Sequence, residues 1–420
     1  MPVLTFLPDV LEEHLEEIDF LHGQWREAIT SPEYVLDKVA DLERRILAHV
    51  SGVEAVGEGG LTLLEEWLAS DTPGEVFAAA RGLLELGAPG VERVLAAVGG
   101  AGDGGADERL AALAEALAVA PQGEAVRAVL EEAVRSAEAP RATLLARAME
   151  LQGGVELTRS RLEAFLGDED EDAQVRAWWL VGATGMVPEA RIFAQAVRDG
   201  PVPVRQAALD AGAWCRIPGV LPALRQIAAE PEGAAAPLLE LYGTLATAED
   251  REAVEAIVND ADRGEGRLTL AAAYGHPDLM DAVLGAMESA DPGTAHAAGV
   301  AFEGMTGRAV TTRRVDGPPA TEVHPDDANA PPEERAAAEP ADVFDLPDPG
   351  EARAVWEAMA PGLQGAARIV RGMDANGELD AVSFAAFDMR SRRQAYLRSR
   401  FRDGWQGSPA ALERFPQGTG

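Results

Sequence analysis

The residues able to carry chemistry are few, and their spacing does not favour it. The chain of 420 residues has six histidines: His14, His22, His49, His276, His296 and His324. His14 and His22 lie eight apart, about two helical turns, so a helix would place them on one face. No pair of histidines four apart brackets a glutamate, the arrangement that binds zinc on a helix. Cys215 is the only cysteine, which excludes an intrachain disulfide and any multi-cysteine zinc site. It follows Trp214 in an apolar stretch, the setting of a packed thiol rather than of a nucleophile. No Gly-x-Ser-x-Gly elbow occurs. Gly99 to Gly105 is glycine-rich but lacks the Lys-Ser/Thr of a phosphate-binding loop and follows no strand, so it reads as a connector.

Two acidic runs invite a metal reading. Asp374-Ala-Asn376-Gly377-Glu378-Leu-Asp380 begins like a calcium loop, which needs glycine at position 6 and glutamate at position 12. Here glycine is at position 4 and position 12 is Ala385, so the run reads as a turn. Asp168-Glu169-Asp170-Glu171-Asp172 can attract a divalent ion weakly or contact a basic partner. As a solvated loop, its Asp172 would cap the following helix, and that reading is preferred. The expectation is no catalytic residue, no metal and no cofactor.

Charge narrows the partners. Asp and Glu number 71 against 36 Lys and Arg, a net −35. Sequence-independent nucleic-acid binding requires basic side chains to displace counterions, and anionic membrane surfaces attract basic segments. Neither fits, whereas a basic protein partner does, as does solubility alone. The N-terminus turns acidic at once, without the basic and apolar regions of a secretory signal, and no apolar run of about 18 residues occurs. The expected location is the cytoplasm.

The elements that must position these residues are helical. Val10, Leu11, Leu15, Ile18 and Leu21/Trp25 recur near a period of 3.6. Ser31-Pro32 reads as a cap with proline in the first turn. Leu36, Val39, Leu42, Ile46 and Leu47 continue in a second stripe, and Leu61 to Leu68 make a third helix. From Thr72 to Gly307 short apolar helical segments alternate with Gly, Pro or Asp, recurring about every 30 residues as helix pairs, the pattern of an α-solenoid. The clearest units start at Val175-Arg176 and Val204-Arg205. Residues 308–350 form an acidic, Pro-rich linker: from Asp316 to Glu351 eleven acids face one arginine, with no periodicity. Phe344 and Leu346 supply apolar anchors. In residues 351–420, Glu351–Met359 reads as a helix, Ile369–Val370 and Leu379–Phe384 as short strands, and Phe387–Arg402 as a helix with six arginines. That helix can bind phosphate groups or, the preferred reading, neutralise the chain's own acids. The predicted architecture is all-α: an N-terminal helical cap (1–70), a HEAT-like repeat array (71–307), the linker (308–350) and a small C-terminal appendage (351–420).

Three stretches together carry a resemblance. They are Leu11-Glu-Glu-His14 continuing through Trp25-Arg26, Leu42-Glu43-Arg44-Arg45, Ala48-His49, Gly52-Val53 and Pro73-Gly74-Glu75-Val76-Phe77; the HEAT-like units; and Phe302 to Gly307 followed by Leu346-Pro347-Asp348-Pro349. They resemble an uncharacterised family of proteobacterial HEAT-repeat proteins. Some members are encoded near type VI secretion genes, and at least one acts as the immunity protein of a secreted DNase toxin. The resemblance implies a non-enzymatic, protein-binding solenoid serving as an immunity or adaptor protein, with a basic toxin domain or secretion component as partner. The alternatives are a general scaffold or a HEAT-repeat enzyme such as a lyase or metal-dependent hydrolase. Within the array, the repeat face around Arg176, Trp179, Arg205 and Trp214, with the acidic run Asp168, Glu169, Asp170 and Glu171, is the expected partner-binding surface. Trp178 and Trp179 lie about 100° apart on a helix, so one must point elsewhere; an exposed Trp would suit a binding hot spot, and partial burial of both between layers is the preferred reading.

Overall fold

In the computed structural model, residues 8–100, 108–120, 123–230, 234–316, 343–375, 386–402 and 404–415 are described. Residues 101–105 of the glycine-rich connector, His324, residues 317–342 of the linker, the turn 376–380 and the expected strand Leu379–Phe384 lie outside them. The described chain is mostly helical, and it divides into two compact units: Met1–Val220 with Ala386–Gly420, and Leu221–Ala385. The division falls inside the segment read as one array, and the last residues of the chain pack with the first unit.

Unit 1 begins with α1 (Pro8–Ala28), α2 (Leu36–Val56) and α3 (Leu61–Leu68). Then come α4 (Pro73–Glu85), α5 (Ala88–Gly100), α6 (Glu108–Val119), α7 (Glu124–Ser136), α8 (Ala139–Leu151), α9 (Arg159–Leu166), α10 (Glu171–Thr184), α11 (Ala190–Asp199) and α12 (Val202–Trp214). Every second helix packs on the next: α4 on α6, α6 on α8, α8 on α10 and α10 on α12. The intervening helices pack against their partners, as α11 does on α12. Composition explains the two rows. In α4 every residue from Val76 to Leu84 is buried, and α6, α8, α10 and α12 are similarly apolar on most sides. A helix apolar all round must be covered all round. The other row is amphipathic: α11 buries only Phe193. Small residues set the spacing between rows. A Cβ on Gly212 would stand 2.7 Å from Val220 Cγ2 and 2.8 Å from the Phe193 ring, so α12 needs glycine there.

Most of the N-terminal stripe is buried, with Leu11, Leu15, Ile18 and Leu21 fully enclosed, but Val10, in the first turn of α1, is 42% exposed. Ser31-Pro32, however, does not open α2. The helix starts at Leu36, because Val35 is held extended in a bridge to Asp388 and Tyr34 O accepts from Met389 N at 2.8 Å. Asp388, almost fully buried, caps α20 (Met389–Phe401) by accepting from Ser391 N and Ser391 Oγ at 2.8 and 2.7 Å. Helix α20 then packs on α12, and the short α21 (Ala410–Glu413) packs on α8.

Unit 2 contains most of α13 (Val220–Ala228), then α14 (Ala236–Leu245), α15 (Arg251–Asn259), α16 (Gly266–Tyr274), α17 (Met280–Ala286) and α18 (Pro292–Thr306). Again alternate helices pack, α14 on α16 and α16 on α18. The ends of the segment read as a linker pair as antiparallel strands, β1 (Thr312–Asp316) and β2 (Val343–Pro347), with Arg314 opposite Asp345. Pro347 reaches Gly299 of α18, and Asp348 caps α19 (Pro349–Met359). A two-residue hairpin follows, β3 (Ile369–Val370) with β4 (Met373–Asp374). Its turn is Arg371-Gly372, both with positive φ, which the type I′ hairpin turn requires.

This hairpin covers helix C-termini, whose last carbonyls lack intrahelical partners. Ile369 N donates to Gly275 O at 2.7 Å, Arg371 N to Gly304 O at 2.9 Å and Gly372 N to Met305 O at 2.8 Å. The buried Arg368 guanidinium donates to Gly243 O, Ala246 O and Ala273 O at 3.1, 3.1 and 2.5 Å, and lies 5.4 Å from the Tyr274 ring centre. Nearby, buried Asp250 accepts from Arg225, Tyr242 and Thr247. Burial raises its carboxyl pKa, but the hydrogen bonds from Arg225 and Thr247 outweigh it and hold it at about 2.

Candidate functional site

The four residues expected to form a binding face have separate fates. Trp178 takes the core position, fully buried, and its neighbour Trp179 leaves the core. Trp179 Nε1 donates to Glu413 Oε1 at 3.2 Å, and the Arg147 guanidinium lies over its ring at 5.0 Å. Trp214 is 1% exposed. The Trp405 ring meets it edge-on at 5.8 Å and Arg393 lies over it at 5.6 Å. Arg176 serves as a strut from α10 to α8, donating to Thr143 Oγ1 at 3.0 Å and Pro140 O at 3.4 Å. Burial draws its pKa down, against Asp170 and Asp172. Arg205 is half-buried and reaches Gly200 O at 3.5 Å.

The acidic run also builds structure. Asp170, rather than Asp172, caps α10, accepting from Ala173 N at 2.6 Å. Asp168 Oδ1 accepts from Asp170 N at 3.0 Å, and Glu169 and Glu171 are exposed. Position 170 caps because the turn closed by Asp168 leaves it extended, with φ −78° and ψ 117°.

What the fold does assemble is a groove in unit 1, lined by α1, α6, α8 and α10 and occupied by residues 408–415. Glu413 is gripped by Trp179 Nε1, Arg147 Nη2 at 3.1 Å and Arg393 Nη1 at 3.4 Å. Arg414 Nη2 donates to Glu150 O at 3.1 Å. Phe415 is buried, its ring edge-on to Trp25 at 5.2 Å, and Ala410 is fully enclosed. Arg393 also pairs with Asp210 at 3.1 Å. Burial pushes the Asp210 carboxyl pKa up, against the pull of Arg393. Arg400 Nε donates to Trp214 O at 3.0 Å, so the arginine-rich helix meets acids and carbonyls of its own unit.

Below the groove His22 is stacked on Phe77 at 3.7 Å and on Trp25 at 5.9 Å. Burial, helped by Arg26, lowers its pKa to about 3, which keeps it neutral. Arg26 pairs with Glu115 at 3.2 Å, and burial raises the Glu115 pKa. A cavity of about 280 Å³ lies beside Phe415, lined by Trp25, Ile29, Leu144 and Leu151 among others. A second, of about 150 Å³, lies on the other flank, between Leu36, Val39 and Leu412.

The charge-bearing residues of this groove escape a reading based on repeat starts. Arg147 had one signal, a cation inside a helix otherwise apolar on most sides. Glu413 and Phe415 had none, because Arg147 and Trp25, the partners they meet, lie more than 200 residues away.

Elsewhere the chemistry is muted. His14 pairs with His49 across α1 and α2, Nδ1 to Nδ1 at 3.1 Å, rather than sharing a site with His22. Burial, and then His14, lowers the His49 pKa. The Cys215 thiol donates to Val181 O at 3.3 Å and burial raises its pKa to about 11, which keeps it protonated at neutral pH. In unit 2 a cleft of about 880 Å³ is lined by Arg251, His276, Asp278, Arg353 and Trp356. Its arginines have acidic partners: Arg251 pairs with Glu255 and Asp278, and Arg353 with Glu288. Among the described residues no group of three or more His, Cys, Asp or Glu is placed to hold a metal ion, and no helix is long and apolar enough to cross a membrane. No protein-family model matches the chain and no curated protein matches it, so what can be said of its role rests on this geometry and on the sequence.

Proposed function

We propose that this chain is a non-enzymatic binding protein, a HEAT-like α-solenoid that holds a segment of a protein partner against the helix faces of unit 1. The observation that carries the reading is the groove itself. It already holds a piece of polypeptide, with Glu413 gripped by three donors and Phe415 sealed against Trp25. Packing of alternate helices supports the solenoid reading, because stacked pairs complete one another's core and leave extended faces free. The surplus of acids suits a basic partner and would speed its association. Together with the family resemblance, this favours a cytoplasmic immunity or adaptor protein of a type VI secretion cluster, acting on a toxin or effector protein.

The test is genomic context followed by co-expression: a toxin gene next to this one, expressed together with it. Survival of cells that otherwise die, with a stoichiometric complex that weakens as salt rises, is the expected result. Unprotected cells, with no complex between the purified proteins, would reject the immunity reading.

A further inference from the structure

Building on the protein-binding reading above, we infer that the unit 1 groove recognises a short partner segment in which a carboxylate is followed two residues later by an aromatic side chain. Residues 408–415 are the internal stand-in for that segment.

The groove's chemistry defines its ligand. One slot is built for a carboxylate: an indole N–H and two guanidiniums converge on Glu413, whose side chain is only 14% exposed. Charge-assisted bonds of this kind select an anion strongly, and the slot is cationic on a chain of net −35. A second slot is aromatic, with Trp25 as its wall. Between them Ala410 is fully enclosed.

The occupant is held in a way that permits exchange. Among the described residues, no backbone–backbone hydrogen bond ties 408–415 to the helices beneath. Ala411 N and Leu412 N bond locally to Ser408 O and Pro409 O. Half-open clefts of about 280 and 150 Å³ flank this segment. A partner bringing bulkier apolar side chains next to its aromatic residue would fill the larger one and gain contacts that the tail lacks.

The experiment uses the full-length chain carrying Glu413→Lys with Phe415→Ala, which empties both slots without truncation. A fluorescently labelled peptide of residues 408–415 is titrated against this variant and against the wild type, and anisotropy is read. The tethered tail competes at high effective concentration, so the open variant should bind the peptide about tenfold or more tightly than wild type. Adding Trp179→Ala, or reversing the peptide's glutamate to lysine, should abolish the gain. If the double substitution lowers the melting temperature sharply, Phe415→Ala alone should give the same order of affinities. Equal binding to open and wild-type chains, equal binding of the charge-reversed peptide, or no binding to a folded open variant would overturn the proposal. So would a wild-type dimer that exchanges these tails. The peptide test needs no partner protein, so its failure and failure of the co-expression test are separate results.

Discussion

Residues 366–375 and residues 404–415 both leave the helical order and lie down on helices, the first in unit 2 and the second in unit 1. The first is fixed through main chain: three of its amides and the buried Arg368 satisfy carbonyls at the ends of α14, α16 and α18. The second is held by side chains, chiefly Glu413 and Phe415, with unfilled space on both flanks. The difference lies in what each segment leaves behind. Removing the hairpin strands buried backbone acceptors, which is costly wherever water cannot reach them. Removing the tail leaves Arg147, Arg393 and two tryptophan faces that water or a ligand can satisfy. One segment completes a core; the other occupies a site.

Acid should break the comparison most strongly. His22 has a folded pKa of about 3 against an ordinary 6.5. The unfolded chain therefore takes up the proton first, and the stability of unit 1 is lost as pH falls from about 6.5 towards 3, at about 1.4 kcal/mol per unit. Urea titrations at pH 7, 5 and 4, followed by Trp fluorescence, should show this slope, and His22→Phe should flatten it; an unchanged slope in the variant rejects the assignment. Next in size is Arg368→Ala, which should cost unit 2 about 3 kcal/mol, read by denaturation with hydrogen exchange on α14 and α16. A loss below about 1 kcal/mol would mean that water replaces the guanidinium.

Asp250→Asn should cost about 2 kcal/mol at neutral pH. A carboxyl held at about 2 in the fold stabilises above its unfolded value near 4 and loses that effect as pH falls towards 2. The variant's disadvantage should therefore vanish near pH 2, and thermal melts across that range check it. The smallest effect is expected at the tail. Glu413→Ala should cost about 1 kcal/mol while clearly raising amide exchange over 408–415 and leaving α8 and α10 protected. If α8 and α10 lose protection as well, the tail is part of the core and the contrast between the two segments collapses.

Much of the helical order was legible because it is written locally. The 3.6-residue stripes place Leu11, Leu15 and Ile18 inside, and the Val-Arg starts at 175 and 204 mark two real helices. Trp178 and Trp179 part company as helical geometry demands. What sequence could not show was written between distant residues. Val35 stays extended because Asp388 pairs with it, which delays α2 past a locally convincing Ser31-Pro32 start. The turn at Arg371-Gly372 carries a bulky residue at positive φ, and helix ends rather than local preference hold it there. At the candidate site, helical geometry shows that Trp178 and Trp179 cannot share one direction but not which of them leaves the core, and nothing local tells that Glu413 meets Trp179.

Because residues 386–415 complete unit 1 while 221–385 form a unit of their own, the order of synthesis matters. Unit 1 is begun first and finished last. At about 5–20 residues per second, its early helices wait tens of seconds for the segment that covers Trp214 and Trp25. During that interval the groove is open on the nascent chain, so a partner present at the ribosome would meet it before the chain's own tail does.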